Sequence, residues 1–235
     1  MSTLENRKIL IVDDEPMLRE ILRDVLEFEG ATIHEAENGR QAFDLHQREK
    51  FDAVISDIRM PGGDGLELLM SLRNVDCCTP VVMLITGFSD LSHDAAYSLG
   101  ADAVLSKPFD VNELLGRLGF LLAPAEKRLS ESFEIASSRK IEGKDLNPKL
   151  GRGGFFVPDC VDGVTGEVIS FGLDSHELGG AIQGKGIIRW IRRTVADDRS
   201  KGMGVEFRYL EPESLKRVLD WNARNKVQAF IPDGK

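Results

Sequence analysis

KILIVDDE (8–15), DAVISD (52–57), VVMLIT (81–86) and AVLSK (103–107) decide the fold of the first half of this chain. Each is a short apolar run that ends on polar residues: Asp13 and Asp14, Asp57, Thr86, and Lys107. The runs ILIV, AVI and VVMLI are almost wholly apolar, as strands covered on both faces must be. Helical periodicities lie between them. Pro16 suits a first helical turn, Leu18, Ile21, Leu22, Val25 and Leu26 recur at helical spacing, and Gly30 supplies a stop. GRQAFDLHQREK (39–50) reads as a second helix, and DGLELLMSLRN (64–74) as a third, with Leu66, Leu69 and Leu72 on one side. SDLSHDAAYSL (89–99) gives a fourth, closed by Gly100. The fifth opens on Asp110 and Glu113 in capping-box spacing and runs through Leu114, Leu115, Leu118 and Leu121. Strand and helix in alternation predict an α/β, doubly wound parallel sheet.

In such a sheet, ligands bind beyond the carboxyl ends of the strands, where strand order reverses. The run ends therefore deliver three carboxylates, one hydroxyl and one ammonium to a single place. Two like charges about 4 Å apart repel by roughly 4 kcal/mol at an effective dielectric near 20. A triad of carboxylates is thus poised to take up a hard divalent cation, which would also relieve the repulsion met by an incoming phosphoryl group. Any one of these residues alone reads as a solvated turn, a cap or a surface lysine. Their joint placement at consecutive strand ends argues for the site.

VDDEP, SDIRMPGGDGLEL, VVMLITG and GADAVLSKPFD, with their spacing, resemble the receiver domain of two-component response regulators. The resemblance covers roughly residues 7–122. It implies a five-stranded, flavodoxin-like sheet, a phosphoacceptor at Asp57, and Mg²⁺ held by Asp13, Asp14, Asp57 and the backbone carbonyl of Arg59. It further implies that Lys107 and Thr86 engage the phosphoryl group, that a sensor histidine kinase or other phosphodonor is the upstream partner, and that the proline after Lys107 is cis. The family often carries an aromatic residue three positions before the lysine, whereas this chain has Val104. A β-branched aliphatic has few rotamers, so signal transfer is expected through Thr86 and the following segment, Gly87 to His93.

The second half differs in pattern. APAEKRLSESFEIASSRKIEGKDLNPK opens as a linker, with AEKRLSESFEIA (125–136) able to form a helix through Leu129, Phe133 and Ile135 and leaving a homodimer open. GGFFV, EVISFGL, GIIRWIRR and GVEFRYL read as strands. EPESLKRVLDWNARN then gives a closing helix with Leu215, Val218, Leu219 and Trp221 as its apolar side. Domains are expected at 1–122, with a linker at 123–144 and a small β-barrel with a C-terminal helix at 145–235. That order resembles the PilZ domain of cyclic di-GMP signalling, on the residues LGRGGFFV, GKGIIRW and KGMGVEF. The family's ligand motif is worn here. Lys149 stands at its acidic position and Gly151 at its serine, only Gly154 survives, and no second arginine follows Arg139 and Lys140 at the needed distance. Guanidinium forks are not replaced by lysine, so cyclic di-GMP binding is not expected. A cyclic di-GMP effector integrating two signals stays open as the alternative.

A basic cluster of Lys185, Arg189, Arg192, Arg193, Arg199 and Lys201 surrounds one hairpin. Alternation along GIIRWIRR places its arginines on an exposed strand face, with Asp197 and Asp198 balancing them. With no helix-turn-helix pair, nucleic-acid binding is not expected, and a DNA-binding regulator is the other alternative. The net charge of −9 divides unevenly: residues 1–122 hold 11 basic against 22 acidic side chains, and residues 123–235 hold 19 against 17. No apolar run suffices to span a bilayer, and Cys77, Cys78 and Cys160 show no metal spacing, so a cytoplasmic protein is expected. The whole reads as a phosphorylation switch acting on a downstream protein, not as a conventional enzyme.

Overall fold

A computed structural model describes residues 4–87, 92–131, 137–143, 148–175, 177–195 and 199–233. They form two compact units: residues 1–92 with 99–123, and residues 93–98 with 124–235.

The first unit is a five-stranded parallel sheet of β1 (Lys8–Val12), β2 (Thr32–Ala36), β3 (Ala53–Asp57), β4 (Val81–Thr86) and β5 (Ala103–Ser106). Their order is β2-β1-β3-β4-β5. Every residue of β3 is buried, because a central parallel strand is covered on both faces. The edge strand β2, TIHEA, buries only Ala36 and pairs with β1 in the register Lys8↔Thr32 to Val12↔Ala36.

The helices are α1 (Pro16–Phe28), α2 (Gly39–Arg48), α3 (Gly65–Val75) and α5 (Val111–Leu122), with α4 (His93–Leu99) between β4 and β5. Asn38 caps α2 by accepting from the Gln41 N–H, and Asp64 caps α3 by accepting from the Leu66 and Glu67 N–H groups. The α5 cap is Asp110, which accepts from the Asn112 N–H at 2.7 Å, one position short of the expected capping box. The stripe read along α1 narrows in the fold. Leu22 and Leu26 are buried but Ile21 is 48% exposed, its place on the inner face taken by Arg19. Gly30 ends the region in a left-handed conformation, φ +88°.

A buried ion pair ties α3 to the strand layer. Arg73 meets Asp102 at 2.6 Å and also donates to the carbonyls of Gly100 and Pro80. With its donors thus occupied, the guanidinium is tolerated in the core.

The second unit contains a mixed sheet of β6 (Arg139–Gly143), β7 (Lys149–Leu150), β8 (Gly154–Pro158), β9 (Val168–Ser175), β10 (Gly180–Arg192) and β11 (Gly202–Leu210). Their order is β6-β9-β10-β11-β8-β7, with β6 parallel to β9 and the other pairs antiparallel. Among the described residues β6 and β7 are its two ends. Helix α6 (Ala125–Ser130) and strand β6 lie in the stretch expected to be a linker; Ile141 is buried there, which makes RKIEG part of the sheet. Residues 132–136, including Phe133 and Ile135 of the anticipated helix, lie outside the described residues.

Aromatic rings fill the core. Phe155 meets Phe171 edge-on at 4.8 Å and Phe207 at 5.5 Å, while Phe156 stacks on Trp190 at 5.4 Å. A Cβ at Gly204 would lie 2.1 Å from the Trp190 ring, so this glycine makes room for the indole. Helix α7 (Pro212–Asn225) buries Val218 and Trp221, and Leu215 and Leu219 stay half-buried.

Residues 93–98 of α4 pack within this second unit. Tyr97 stacks on Phe230 with ring centroids 6.2 Å apart, and its carbonyl accepts the Phe230 N–H at 3.1 Å. The Asp94 carboxylate pairs with Arg192.

Candidate functional site

Strand order reverses between β1 and β3, and the three acidic residues gather there. Asp13 and Asp14 follow β1, and Asp57 ends β3. One oxygen of each carboxylate lies within 4.8 Å of the others. Asp13 and Asp57 are buried, and Asp14 is exposed. Arg59 lies exposed two residues beyond Asp57.

The only cation that ion-pairs with these carboxylates among the described residues is Lys107. Its Nζ sits 3.3 Å from Asp57, 3.3 Å from Asp13 and 3.6 Å from Glu15. Burial works against the charge on Lys107, but Asp13 and Asp57 outweigh it and hold the ammonium above its ordinary pKa. Burial pushes the Asp57 carboxyl up, against the pull of Lys107 and with the repulsion of Asp13. Such a pocket suits a small, hard cation, since three anionic oxygens face one ammonium.

Thr86 is buried at the end of β4 and donates its hydroxyl to the Gly87 carbonyl at 2.9 Å. The Lys107–Pro108 peptide is cis. Val104 lies buried in β5 and its carbonyl accepts from Arg117 at 2.7 Å. Of the segment expected to carry the signal, residues 88–91 lie outside the described residues.

Two supports were not anticipated from the sequence. Arg19 reaches back from α1 and donates to the Asp13 carbonyl at 2.6 Å, while its Nε meets Glu35 at 3.2 Å. This fixes the backbone that carries the acidic pair. Arginine at an inner position of an otherwise apolar helix face was the available signal. Gly65 is the second support. A Cβ there would lie 2.1 Å from the Asp57 carbonyl, so only glycine lets α3 begin against the end of β3.

A second grouping, Asp76 with Cys77 and Cys78, is a turn. The Asp76 carboxylate accepts the Cys78 and Thr79 N–H groups, and these bonds hold its pKa below the usual range.

The basic cluster of the second unit departs from expectation. Its arginines do not form an exposed face. Arg189 pairs with the buried Glu206, and Arg192 pairs with Asp94. Arg199 lies 3.5 Å from both Asp94 and Asp233, and Lys201 lies 3.4 Å from Asp159. Arg193 is exposed and donates to the carbonyls of Val161 and Gly163. Asp197 and Asp198 lie outside the described residues. Burial does alternate from Gly186 to Ile191, with Ile188 and Trp190 inside and Arg189 on the outer face, so it is the acidic partners that cover Arg189 and Arg192.

A five-stranded parallel sheet with flanking helices and an acidic cluster at its switch point defines a doubly wound α/β domain. Residues 9–119 match the family model described as the response regulator receiver domain. The response regulator MprA of Mycolicibacterium vanbaalenii is 41% identical over 115 residues, 49% of this chain and 50% of that protein. The transcriptional regulatory protein SrrA of Staphylococcus aureus is 33% identical over 141 residues, 60% of this chain and 58% of that protein. The solved response regulator protein TrrA of Thermotoga maritima, in complex with Mg²⁺–BeF, is 36% identical over 49% of this chain and 98% of that chain, with a TM-score of 0.45. The N-terminal half is a response-regulator receiver domain. The chain spans about half the length of the first curated relatives it matches. No helix among the described residues is long and apolar enough to cross a membrane.

Proposed function

We propose that this chain is a phosphorylation-controlled switch with Asp57 as the phosphoacceptor. The observation that carries the reading is the Asp13, Asp14 and Asp57 cluster, with Lys107 at 3.3 Å from Asp57. Those carboxylates and the carbonyl of Arg59 would hold Mg²⁺, which when bound offsets negative charge around the transferred group. An Asp57 oxygen forms a bond to phosphorus while the bond to the phosphodonor breaks, and the donor leaves with that electron pair. A histidine kinase fits this chemistry as the donor. Lys107 then pairs with the phosphoryl oxygens, and the Thr86 hydroxyl turns from the Gly87 carbonyl to donate to them. The chain has no further turnover beyond slow loss of the phosphoryl group.

The second unit is read as a PilZ-like output that acts through protein contacts without cyclic di-GMP. The loop where that family binds its nucleotide supports this. The Arg152 and Gly153 N–H groups donate to the carbonyls of Ala229 and Phe230. A Cβ at Gly153 would fall 2.0 Å from the Phe230 ring, and one at Gly151 would fall 2.5 Å from the Phe230 carbonyl. The loop is thus filled by the C-terminal segment. The paired state of Arg189, Arg192, Arg199 and Lys201 likewise argues against a nucleic-acid surface.

Isothermal titration of cyclic di-GMP into the full chain, with and without Mg²⁺ and beryllofluoride, tests the output. No heat from the nucleotide in either state is expected. Micromolar binding would overturn the reading and make the chain a two-input integrator.

A further inference from the structure

We propose that Cys77 and Cys78 form a dithiol site that chelates one soft, pyramidal centre of the trivalent-arsenic class. The pair lies in the connection between α3, which ends at Val75, and β4, which begins at Val81. It therefore sits at the amino end of the parallel sheet, away from the carboxyl ends that carry Asp13, Asp14 and Asp57. No group of that acidic cluster takes part in it.

Successive side chains of an extended chain point to opposite faces, yet the two Sγ atoms lie 3.2 Å apart. Asp76 brings them together. Its carboxylate accepts the N–H groups of Cys78 at 2.7 Å and Thr79 at 2.9 Å, which bends the chain across the pair. The far end of the bend is tied down too. The Pro80 carbonyl accepts from the buried Arg73 at 2.8 Å, and the Val81 N–H donates to the Asp52 carbonyl at 3.0 Å. Cys77 is half-buried and Cys78 exposed, and neither is in a disulfide. A reagent can thus reach two thiols already held on one side of a turn.

A direct disulfide fits this pair poorly. Ordinary disulfides join Cα atoms about 4.4–6.8 Å apart, whereas adjacent Cα atoms are about 3.8 Å apart. One atom inserted between the sulfurs lengthens the bridge and removes that conflict. The width of the gap selects the atom. With sulfur bonds of about 2.3 Å, a tetrahedral ion such as Zn²⁺ would hold two sulfurs about 3.8 Å apart, and a linear one about 4.6 Å. A pyramidal centre with bonds of that length and angles of about 90° needs about 3.3 Å, close to the separation found. Soft thiolates favour such a centre over hard cations. Asp76 is the third donor of the group, but its carboxylate is engaged by the turn. Chelation forms two As–S bonds and breaks two As–O bonds of a dihydroxyarsine. The two thiol protons leave with the hydroxides as two waters, and no atom changes oxidation state.

The test mixes the full chain with phenylarsine oxide, which hydrates to the dihydroxy form. Intact mass spectrometry is expected to show one phenylarsenic group per chain, and thiol titration to show two of the three cysteines consumed. Cys78→Ser, at the exposed position, should weaken the adduct by on the order of a hundredfold or more, because the second bond of a chelate forms within one molecule. Cys77→Ser should do the same, and Cys160→Ser should change nothing. Zn²⁺ at the same concentration should not displace the arsenical. No adduct, an adduct equally tight in both Cys77→Ser and Cys78→Ser, or one lost with Cys160→Ser overturns the site. Displacement by Zn²⁺ would give the pair to a tetrahedral ion and overturn the assignment to a pyramidal one.

Discussion

The two halves of this chain handle charge in opposite ways. In the first, three carboxylates crowd one switch point and two of them, Asp13 and Asp57, share Lys107. In the second, Arg189, Arg192, Arg199 and Lys201 each have an acidic partner in the same unit. By sequence the first read as a ligand site, and the second as an exposed strand face balanced by nearby aspartates. Unbalanced buried charge is costly and persists where it serves a ligand, whereas paired charge serves the fold. The contrast supports the proposal of phosphoryl chemistry in the first half, and it gives the cations of the second acidic partners within the fold.

The largest effect should follow from changing the acceptor itself. Asp57→Asn is expected to abolish phosphoryl uptake from a small-molecule donor, read by phosphate-affinity electrophoresis, without unfolding the chain. Undiminished uptake would move the acceptor elsewhere and erase the contrast.

Next comes a paired charge. Glu206→Ala leaves Arg189 with its buried partner removed and is expected to destabilise the second unit by about 3–5 kcal/mol in urea unfolding. A loss below about 1 kcal/mol would mean that the pair is an ordinary surface bridge.

Gly151→Ser restores the side chain that the PilZ motif carries at this position. It should lower stability by about 1–3 kcal/mol, because the new atoms press on the Phe230 carbonyl. Calorimetry of the variant should show no gain of cyclic di-GMP binding.

The smallest effect is the most diagnostic of the contrast. Asp13→Asn removes one of the crowded charges while keeping an acceptor for the Glu15 N–H. Without divalent cation the variant should be more stable by about 1 kcal/mol, as expected when function holds like charges together. Its Mg²⁺ affinity should fall by on the order of tenfold. A variant both less stable and equally tight for Mg²⁺ would assign Asp13 a purely structural role.

Much of this was legible in the residues, and the exceptions have physical causes. Apolar runs revealed β1, β3 and β4 because central parallel strands are buried on both faces, and the edge strand β5 because Ala103, Val104 and Leu105 are buried as well. The edge strand β2 was carried only by the family resemblance, since Thr32–Ala36 buries only Ala36 and lacks such a run. The site residues were readable because strand ends bring them together whatever the helices do. Arg19 was not, because a helix position alone does not reveal which carbonyl a long side chain will reach. The second half was harder to read. Alternation along β10 placed Arg189 on the outer face correctly, but it could not reveal the acidic partners, Glu206 and Asp94, that cover Arg189 and Arg192 there. The departure of residues 93–98 into the second unit involves partners about a hundred positions away, which no local pattern encodes.

The most direct test of the central claim is to incubate the full chain with acetyl phosphate, with Mg²⁺ or with a chelator, and to locate any phosphoryl group by borohydride reduction and mass spectrometry. The account predicts gain of one phosphoryl group, on Asp57, that requires Mg²⁺. Modification elsewhere, or modification indifferent to the cation, would contradict it.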